Sequence, residues 1–490
     1  MRVVISSAKE ILYNGIAQAA SDSYGVKIFF CLPIFLNRLS TTSEETAASG
    51  IIITVINLFD IALVGPLFGK SPEVAQCFGT LKNNAVVFDS EKRVCFQKIQ
   101  SVFQYGCVYT FLIATPIAVL PLLFSESWLI SLFQQDRQVA AIAGDFLRKI
   151  SNIIPAEFIS FFSMQFLLAN GNTKILFLGS VILILNLLFS ILLSFGLFGF
   201  PEYKMNGIVM SYSVSAWLTA LLYTGALFFH ADFRDLALLK HVFQSLKGKK
   251  AELIDFMKAA LVPTITILTD FGIPFLLTTL SIQFGVTSQA ALALTMQCLA
   301  LNNLLNISFA IASVIIFGRK IGEKFKDIFT FGITINLVST IVELILPLIV
   351  AIRSDLIIDL ITKECSVAVR QSVAKLAPLI AIQNWLSGLT TSLLFQTRAL
   401  NRGMFSAMTY AGCMTLGLAV ACILAFAMEM KIEGIAIGYL SSTALSLIAL
   451  LLTWRDSMNH SSNHACCFWF WKKNPNPQEL ADLAEPILGS

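Results

Sequence analysis

Between Ile175 and Phe200 the chain runs for 26 residues without a charged side chain. A helix rises about 1.5 Å per residue and the hydrocarbon core of a bilayer takes about 20 residues to cross, so this segment alone spans a membrane. About ten segments of this kind follow one another along the chain. They lie near Ile51 to Phe68, Val108 to Phe124, Ile175 to Phe200, Met205 to Phe229, Leu261 to Ile282, Ala290 to Phe317, Ile328 to Ile352, Leu376 to Phe395, Phe405 to Met428 and Ile435 to Trp454. Two interrupted candidates make the set even: Ile11 to Leu39, which carries Asp22 and Lys27, and Val139 to Leu168, which carries Asp145, Arg148 and Glu157. Backbone crossing lipid must satisfy its own hydrogen bonds, and no segment alternates as the strands of a membrane barrel do. The expectation is an all-α, polytopic membrane bundle of twelve transmembrane helices in two pseudo-symmetric six-helix lobes.

Composition agrees. Hydrophobic residues make up 56% of the 490, charged residues only 13%, and 40 are Phe. So few charges cannot cover the apolar surface of a water-soluble chain of this length. A net charge of +4, with its Lys and Arg scattered, excludes a nucleic-acid surface. The ten cysteines fall mostly in apolar segments without paired spacing and read as small buried residues, not a disulfide framework. No Gly-x-x-x-x-Gly-Lys-Ser/Thr loop occurs, which argues against an ATP-driven pump. The apolar run Val3 to Ile5 is too short for a signal peptide, so no cleavage is expected.

Basic residues set an orientation. Lys70, Lys82, Lys92, Arg93 and Lys98, then Arg234, Lys240, Lys247, Lys249, Lys250 and Lys258, then Arg319, Lys320, Lys324 and Lys326 all follow even-numbered spans. The positive-inside rule makes those loops cytoplasmic and leaves both termini there, although Arg353, Lys363, Arg370 and Lys375 run against it. The stretch Lys247-Gly-Lys-Lys250 marks a boundary near mid-chain. The expected organisation is a lobe at 1–232, a cytoplasmic linker at 233–257, a second lobe at 258–454, and a tail at 455–490. An internal echo supports two halves: Asn206-Gly-Ile-Val-Met210 opens the sixth span and Glu433-Gly-Ile-Ala-Ile437 the twelfth. Likewise Phe133-Gln-Gln-Asp-Arg-Gln-Val139 precedes the fourth and Ile361-Thr-Lys-Glu-Cys-Ser-Val367 the tenth.

Over nearly the whole chain, from about Ala47 to Trp454, the residues resemble the multidrug and toxic compound extrusion (MATE) transporters. The resemblance rests on Leu132-Phe-Gln-Gln-Asp-Arg-Gln-Val-Ala-Ala-Ile-Ala-Gly-Asp-Phe-Leu-Arg148, then Pro155, Asn170-Gly-Asn-Thr173, Asn186, and Phe195-Gly-Leu-Phe-Gly-Phe-Pro-Glu202. In the second half it rests on Pro263, Asp270, Phe284-Gly285, Ala290-Ala291 and Phe317-Gly-Arg-Lys-Ile-Gly-Glu-Lys324. The resemblance implies a twelve-helix antiporter whose lobes enclose a V-shaped cavity and which exchanges sodium ions or protons for large, often cationic organic compounds. It also implies that Asp270 stands where the family usually has a seventh-helix Glu, that Asn186 matches its fifth-helix Asn, and that Asn206-Gly207 begins its sixth helix. The chain departs where the family's first-helix Asp falls among Leu32, Pro33 and Ile34, where its tenth-helix Asp falls among Trp385, Leu386 and Ser387, and where Ser190 replaces the Asp of sodium-type members.

The residues support a site on their own. An ionised carboxylate in mid-membrane costs ~2.5 kcal/mol or more, so Asp60 and Asp270 must meet water, a cation or a proton. Asp270 lies among Thr264, Thr266 and Thr269, whose hydroxyls are oxygen ligands for sodium or a drug ammonium. It is the leading cation-coupling residue, ahead of Asp60, and the plainer alternative is a protonated acid bonded to a neighbouring helix. Glu343 in the ninth span reads as structural or snorkelling. Asn186, Gln165, Gln297, Asn302, Asn303 and Asn306 must find partners inside the bundle, as cavity lining or as interhelical glue. Phe161, Phe162, Met164 and Met296 offer an adaptable surface for bulky substrates or ordinary packing. Pro263 and Pro274 flank Asp270, where a bend would serve alternating access.

In the tail, His460 and His464 have a zinc-compatible spacing, but Cys466 and Cys467 lack the separation of a chelating pair. Phe468-Trp-Phe-Trp471 beside Lys472-Lys473 instead suits an interfacial segment, and Asn474 to Ser490 reads as disordered. The expected function is a secondary-active exporter of organic compounds, not an enzyme, in the plasma (inner) membrane. It would be a monomer without resident cofactor or metal, its partners being the substrate, a coupling proton or sodium ion and the lipid. A lipid-linked oligosaccharide flippase and a transport-deficient scaffold remain open, and an aspartyl protease is disfavoured because no Gly-x-Gly-Asp surrounds Asp60 or Asp270.

Overall fold

The computed structural model describes residues 2–21, 32–39, 68–82, 89–131, 136–234, 250–361 and 366–463, with a few isolated positions besides. Asp60, most of the second span, the mid-chain linker and the tail beyond 463 lie outside the described residues. Every described element is helical. The principal helices are α1 (Arg2–Ser21), α2 (Ser71–Lys82), α3 (Asp89–Val108), α4 (Arg137–Ile150), α5 (Ile154–Asn170), α6 (Thr173–Phe195), α7 (Met205–Phe229) and α8 (Lys250–Leu280). They continue as α9 (Val286–Cys298), α10 (Ala300–Gly322), α11 (Ile328–Glu343), α12 (Ile345–Ile361), α13 (Val367–Ala399), α14 (Gly403–Cys422) and α15 (Lys431–Asn463).

Among the described residues eight helices are long and apolar enough to cross a membrane, and the pair α4 and α5, bent by 46°, makes a ninth if it is one span. The bend sits where Pro155 enters the first turn of α5, since proline has no N–H with which to continue α4. The expected eighth span, Ala290 to Phe317, is two helices. Leu299 leaves the helical region at φ −101 and ψ 0, and α10 restarts there. The expected tenth span, Leu376 to Phe395, is the middle of a 33-residue helix that extends beyond its apolar core at both ends. Pro263 and Pro274 both fall inside α8, which continues as one helix of 31 residues.

The two halves repeat in their backbone. Asp136 caps α4 by accepting from Gln138 and Val139 N–H, and Ser366 caps α13 by accepting from Val369 N–H, so both halves of the echo at Phe133 to Val139 and Ile361 to Val367 are helix starts. At the far ends of α5 and α13 the left-handed residues are Gly171 (φ 83) and Asn401 (φ 61). Asn172 N–H then returns to Leu167 O at 2.9 Å, and Arg402 N–H to Thr397 O at 3.0 Å, closing the same turn in each half. The second echo is a packing device. A Cβ on Gly207 would stand 2.7 Å from the Leu193 carbonyl carbon on α6, and one on Gly434 would stand 2.7 Å from Ala425 N in the turn after α14. In each half only the missing side chain lets two successive spans meet backbone to backbone.

Adding a side chain at either seat forces the helices apart, which costs about 1–3 kcal/mol. Gly207→Val and Gly434→Val are each expected to lower the unfolding midpoint of the purified protein in a thermal melt. Gly225→Val and Gly412→Val, where a Cβ meets nothing within 4 Å, are expected to leave it unchanged.

Candidate functional site

Asp270 lies midway along α8 and is half-buried. Its carboxyl accepts a hydrogen bond from the Tyr410 hydroxyl of α14, a residue 140 positions away. Tyr439 of α15 stands near the same carboxyl, and Gln383 of α13 bonds both Tyr439 and the Thr443 hydroxyl, the latter at 3.1 Å. Four helices of the second half thus converge on Asp270 through aromatic hydroxyls and an amide. No described ion pair includes it.

The threonines that flank Asp270 in sequence place their protons within their own helix. Thr264, Thr266 and Thr269 each donate to a carbonyl of their own helix, at 2.8 Å to Ala260 O, 3.0 Å to Val262 O and 2.8 Å to Ile265 O. A hydroxyl in lipid finds the carbonyl four residues back more cheaply than a partner across the bundle. The ring around Asp270 is made instead by Tyr410, Tyr439 and Gln383, which sequence reading passed over. All three sit in long apolar segments beside other polar residues, Asn384 next to Gln383 and Ser441, Ser442 and Thr443 after Tyr439, so no signal in the sequence singled them out.

The amides form separate groups. Asn302 Nδ2 on α10 donates to Asn384 Oδ1 on α13 at 2.6 Å and to Asn306 Oδ1 at 3.2 Å. Asn306 Nδ2 reaches Asn384 O at 3.2 Å, and Asn384 Nδ2 donates to Asn303 Oδ1. Asn384 was also missed, although it directly precedes Trp385. Gln297 is half-buried on α9. Gln165 is remote from these, on α5, where it accepts from the Ser71 hydroxyl at 3.2 Å beside a small cavity lined by Lys70, Val102, Phe162 and Phe256. Phe162 packs against Phe103 and Phe166, an aromatic cluster inside the first half. Asn186 is buried on α6, and among the described residues neither its nitrogen nor its oxygen has a partner. One turn on, Ser190 pairs with Ser211 of α7. Glu343 is completely buried, so the snorkelling expectation is wrong: its helix packs against α10, α13 and α1, and the side chain has no route to an interface.

The halves are clasped at one end of the bundle. Lys70 donates to Asp255 of α8 at 2.8 Å and to Glu73 at 2.9 Å. Arg398 of α13 donates to Phe68 O at 2.8 Å, and Gln76 of α2 donates to Ala399 O at 2.9 Å. A Cβ on Gly69 would stand 2.7 Å from Ala259 O, and one on Gly322 would stand 2.8 Å from the Gln76 carbonyl carbon. Asp255 and Asp270 are one helix apart by fifteen residues, about 22 Å along the axis, so the clasp is far from the carboxyl.

These helices, paired in two repeating halves, can be compared with known proteins. The MatE family model matches residues 26–195. No curated protein matches the sequence. Among solved structures, the eukaryotic MATE transporter AtDTX14 superposes with a TM-score of 0.75 at 17% identity, covering 94% of this chain and 98% of that one. This is the MATE fold. A mutant of the Vibrio cholerae MATE transporter VcmN matches with a TM-score of 0.73 at 16% identity, over 94% of this chain and 99% of the other. A MOP superfamily transporter from Pyrococcus furiosus, whose binding pocket is described as reversed in polarity and suggestive of a different function, matches with a TM-score of 0.73 at 15% identity, over 92% and 96%. The chain therefore shares the MATE fold of two six-helix lobes throughout, with a MatE sequence match confined to residues 26–195.

The clasp has a titratable member outside the spans. Burial alone would lower the Lys70 ammonium, but the Glu73 and Asp255 carboxylates outweigh it and hold its pKa above the ordinary 10.5. Because the folded value is raised, the stabilisation is complete below about pH 10.4 and is lost as pH climbs through the folded value. Asp255 is 71% exposed, so screening limits the pair. A double-mutant cycle of Lys70→Met and Asp255→Asn, followed by denaturation, is expected to give a coupling under about 1 kcal/mol that is flat from neutral pH to pH ~10 and declines above.

Proposed function

We propose that this protein is a secondary-active antiporter that exports organic, often cationic, compounds in exchange for protons or sodium ions. The observation that carries the reading is the Asp270 carboxyl at mid-helix, bonded to Tyr410 and paired with no described basic group. A carboxyl held at that depth without a counter-ion binds a proton or a cation in turn. If the coupling ion and the substrate favour opposite-facing states, loading one expels the other. Tyr410 and Tyr439 supply hydroxyls and aromatic faces suited to an organic ammonium. Asn186, unpartnered and buried, and the exposed Asn303 are proposed as further polar lining, with Gln165, Gln297, Asn306 and Thr266 behind them. Asp60, on the second span, is proposed as a secondary coupling group.

The basic loops put the Lys70 end of the bundle in the cytoplasm, with both termini on that side in the plasma membrane. On that reading the clasp closes the cytoplasmic side and the lobes open outward. A lipid-linked oligosaccharide flippase would need a cationic cavity. Lys70, Arg319 and Arg398 are instead engaged by Asp255, Glu10 and Phe68 O, which favours the antiporter.

In proteoliposomes with sodium and proton gradients imposed separately, efflux of a fluorescent organic cation is expected under at least one gradient. Asp270→Asn should reduce it to background at unchanged expression, and unaltered efflux would refute the role. Tyr410→Phe should slow efflux by about tenfold or less, since a hydrogen bond to a charged group is worth about 1.5–3 kcal/mol and part of that is recovered by solvent.

A further inference from the structure

Glu343 ends α11 with no exposed surface, and neither carboxyl oxygen has a hydrogen-bond partner among the described residues. It faces α13 at Gly388. A Cβ there would stand 2.8 Å from the Glu343 carboxyl carbon and 3.0 Å from Asn306 Oδ1, so the glycine opens the space that the carboxyl fills beside the asparagines of α10. Two more acceptors in this seam are unpartnered: Asn302 Oδ1, and Ser339 Oγ one turn before Glu343 on the same helix. Trp385 closes the seam by donating to Thr340 O at 3.1 Å.

We propose that Glu343 is a proton-binding site, distinct from Asp270, seated between α10, α11 and α13. A sealed carboxylate with no donor is untenable, because its lost hydration is not replaced. The bound proton makes the group neutral and adds a donor to a seam whose unpartnered oxygens otherwise have only the Ser339 hydroxyl. A metal-like seat fits less well, since the asparagine amides already spend their nitrogens and Asn384 Oδ1 on one another, and hard cations gather several free oxygens. The exchange route follows those amides: Asn306 and Asn302 bond to Asn384, which bonds to Asn303, an exposed residue.

Among the described residues no Asp, Glu, Lys, Arg or His faces this seam: α9 carries none, α10 none between Ala300 and Phe317, and α13 none between Leu376 and Thr397, the one thiol there being Cys298 at the end of α9. Beyond those limits, Arg319 and Lys320 are held by Glu10 of α1, which also bears Lys9. On α12, Arg353 pairs with Asp355 and Asp359 with Arg370 of α13, and on α15 Asp456 pairs with Arg402. Lys375 begins the uncharged stretch of α13 and Arg398 ends it at the clasp.

The test is an infrared pH titration of the full-length protein in lipid nanodiscs, reading the C=O stretch of protonated carboxyls between about pH 5 and 9, the range open to a buried acid. A titrating band equivalent to one carboxyl should persist in Asp270→Asn and vanish in the double variant Asp270→Asn/Glu343→Gln. A band that ignores pH, or one retained in the double variant, overturns the proposal. A band lost on adding sodium at fixed pH also overturns it, in favour of a cation seat. If Glu343→Gln does not fold, Asn306→Leu removes the neighbouring oxygen and must shift the midpoint, and an unshifted midpoint is equally fatal. Because Asp270→Asn is carried in parallel, failure of the antiport reading leaves this outcome legible.

Discussion

In hydrocarbon a polar group finds a partner inside the protein or is left with a large solvation deficit, and this sorting shapes the bundle. Hydroxyls solve the problem locally: Thr264, Thr266, Thr269, Thr390 and Thr391 all bond back to their own helices. Amides solve it across helices. Asn336 accepts from Ser392 at 2.8 Å and Gln396 at 2.7 Å, and Gln396 in turn accepts from Trp454 at 2.9 Å, tying α11, α13 and α15 together. Carboxyls have neither remedy when ionised. Asp270 and Glu343 are therefore the groups whose chemistry must come from outside, as a proton, an ion or a ligand.

The two lobes share backbone more than side chains. Their capped helix starts, left-handed turns and glycine seats recur, while the residues performing each task differ, Asp136 against Ser366 and Gly171 against Asn401. Backbone geometry is held by sterics, which tolerate few substitutes, whereas a cap or a lining residue can be exchanged for another with the same donor or acceptor. Asp270 and Glu343 both fall in the second lobe, whereas the buried Glu157 of α5 belongs to the first. Adjacent residues of α13 serve both, since Gln383 belongs to the Asp270 group and Asn384 to the asparagine group.

Most spans, the internal echo and Asp270 were legible in the sequence because runs of apolar residues and an isolated charge need no knowledge of neighbours. What surrounds Asp270 was not. Tyr410 reaches it only because α14 is rotated to present that face, and a helix apolar on all sides carries no stripe that reveals its inward side. The flanking threonines give their protons to carbonyls of their own helix, while Tyr410 comes from another helix, because nearness along the chain is not nearness across the bundle. Glu343 reads as structural or snorkelling in the sequence, and its complete burial removes the second of these and leaves the first. The split of the eighth span at Leu299 leaves no proline or glycine mark to read.

The clasp between the lobes is made largely by peptide units pressed together where glycines stand, with the Lys70 ion pair at its rim. Its tightness is thus a matter of shape. Ionic strength and acidity should hardly loosen such a seam, so whatever parts the lobes must act as a lever on whole helices, and α8, which carries Asp255 at the clasp and Asp270 at its middle, is the natural arm.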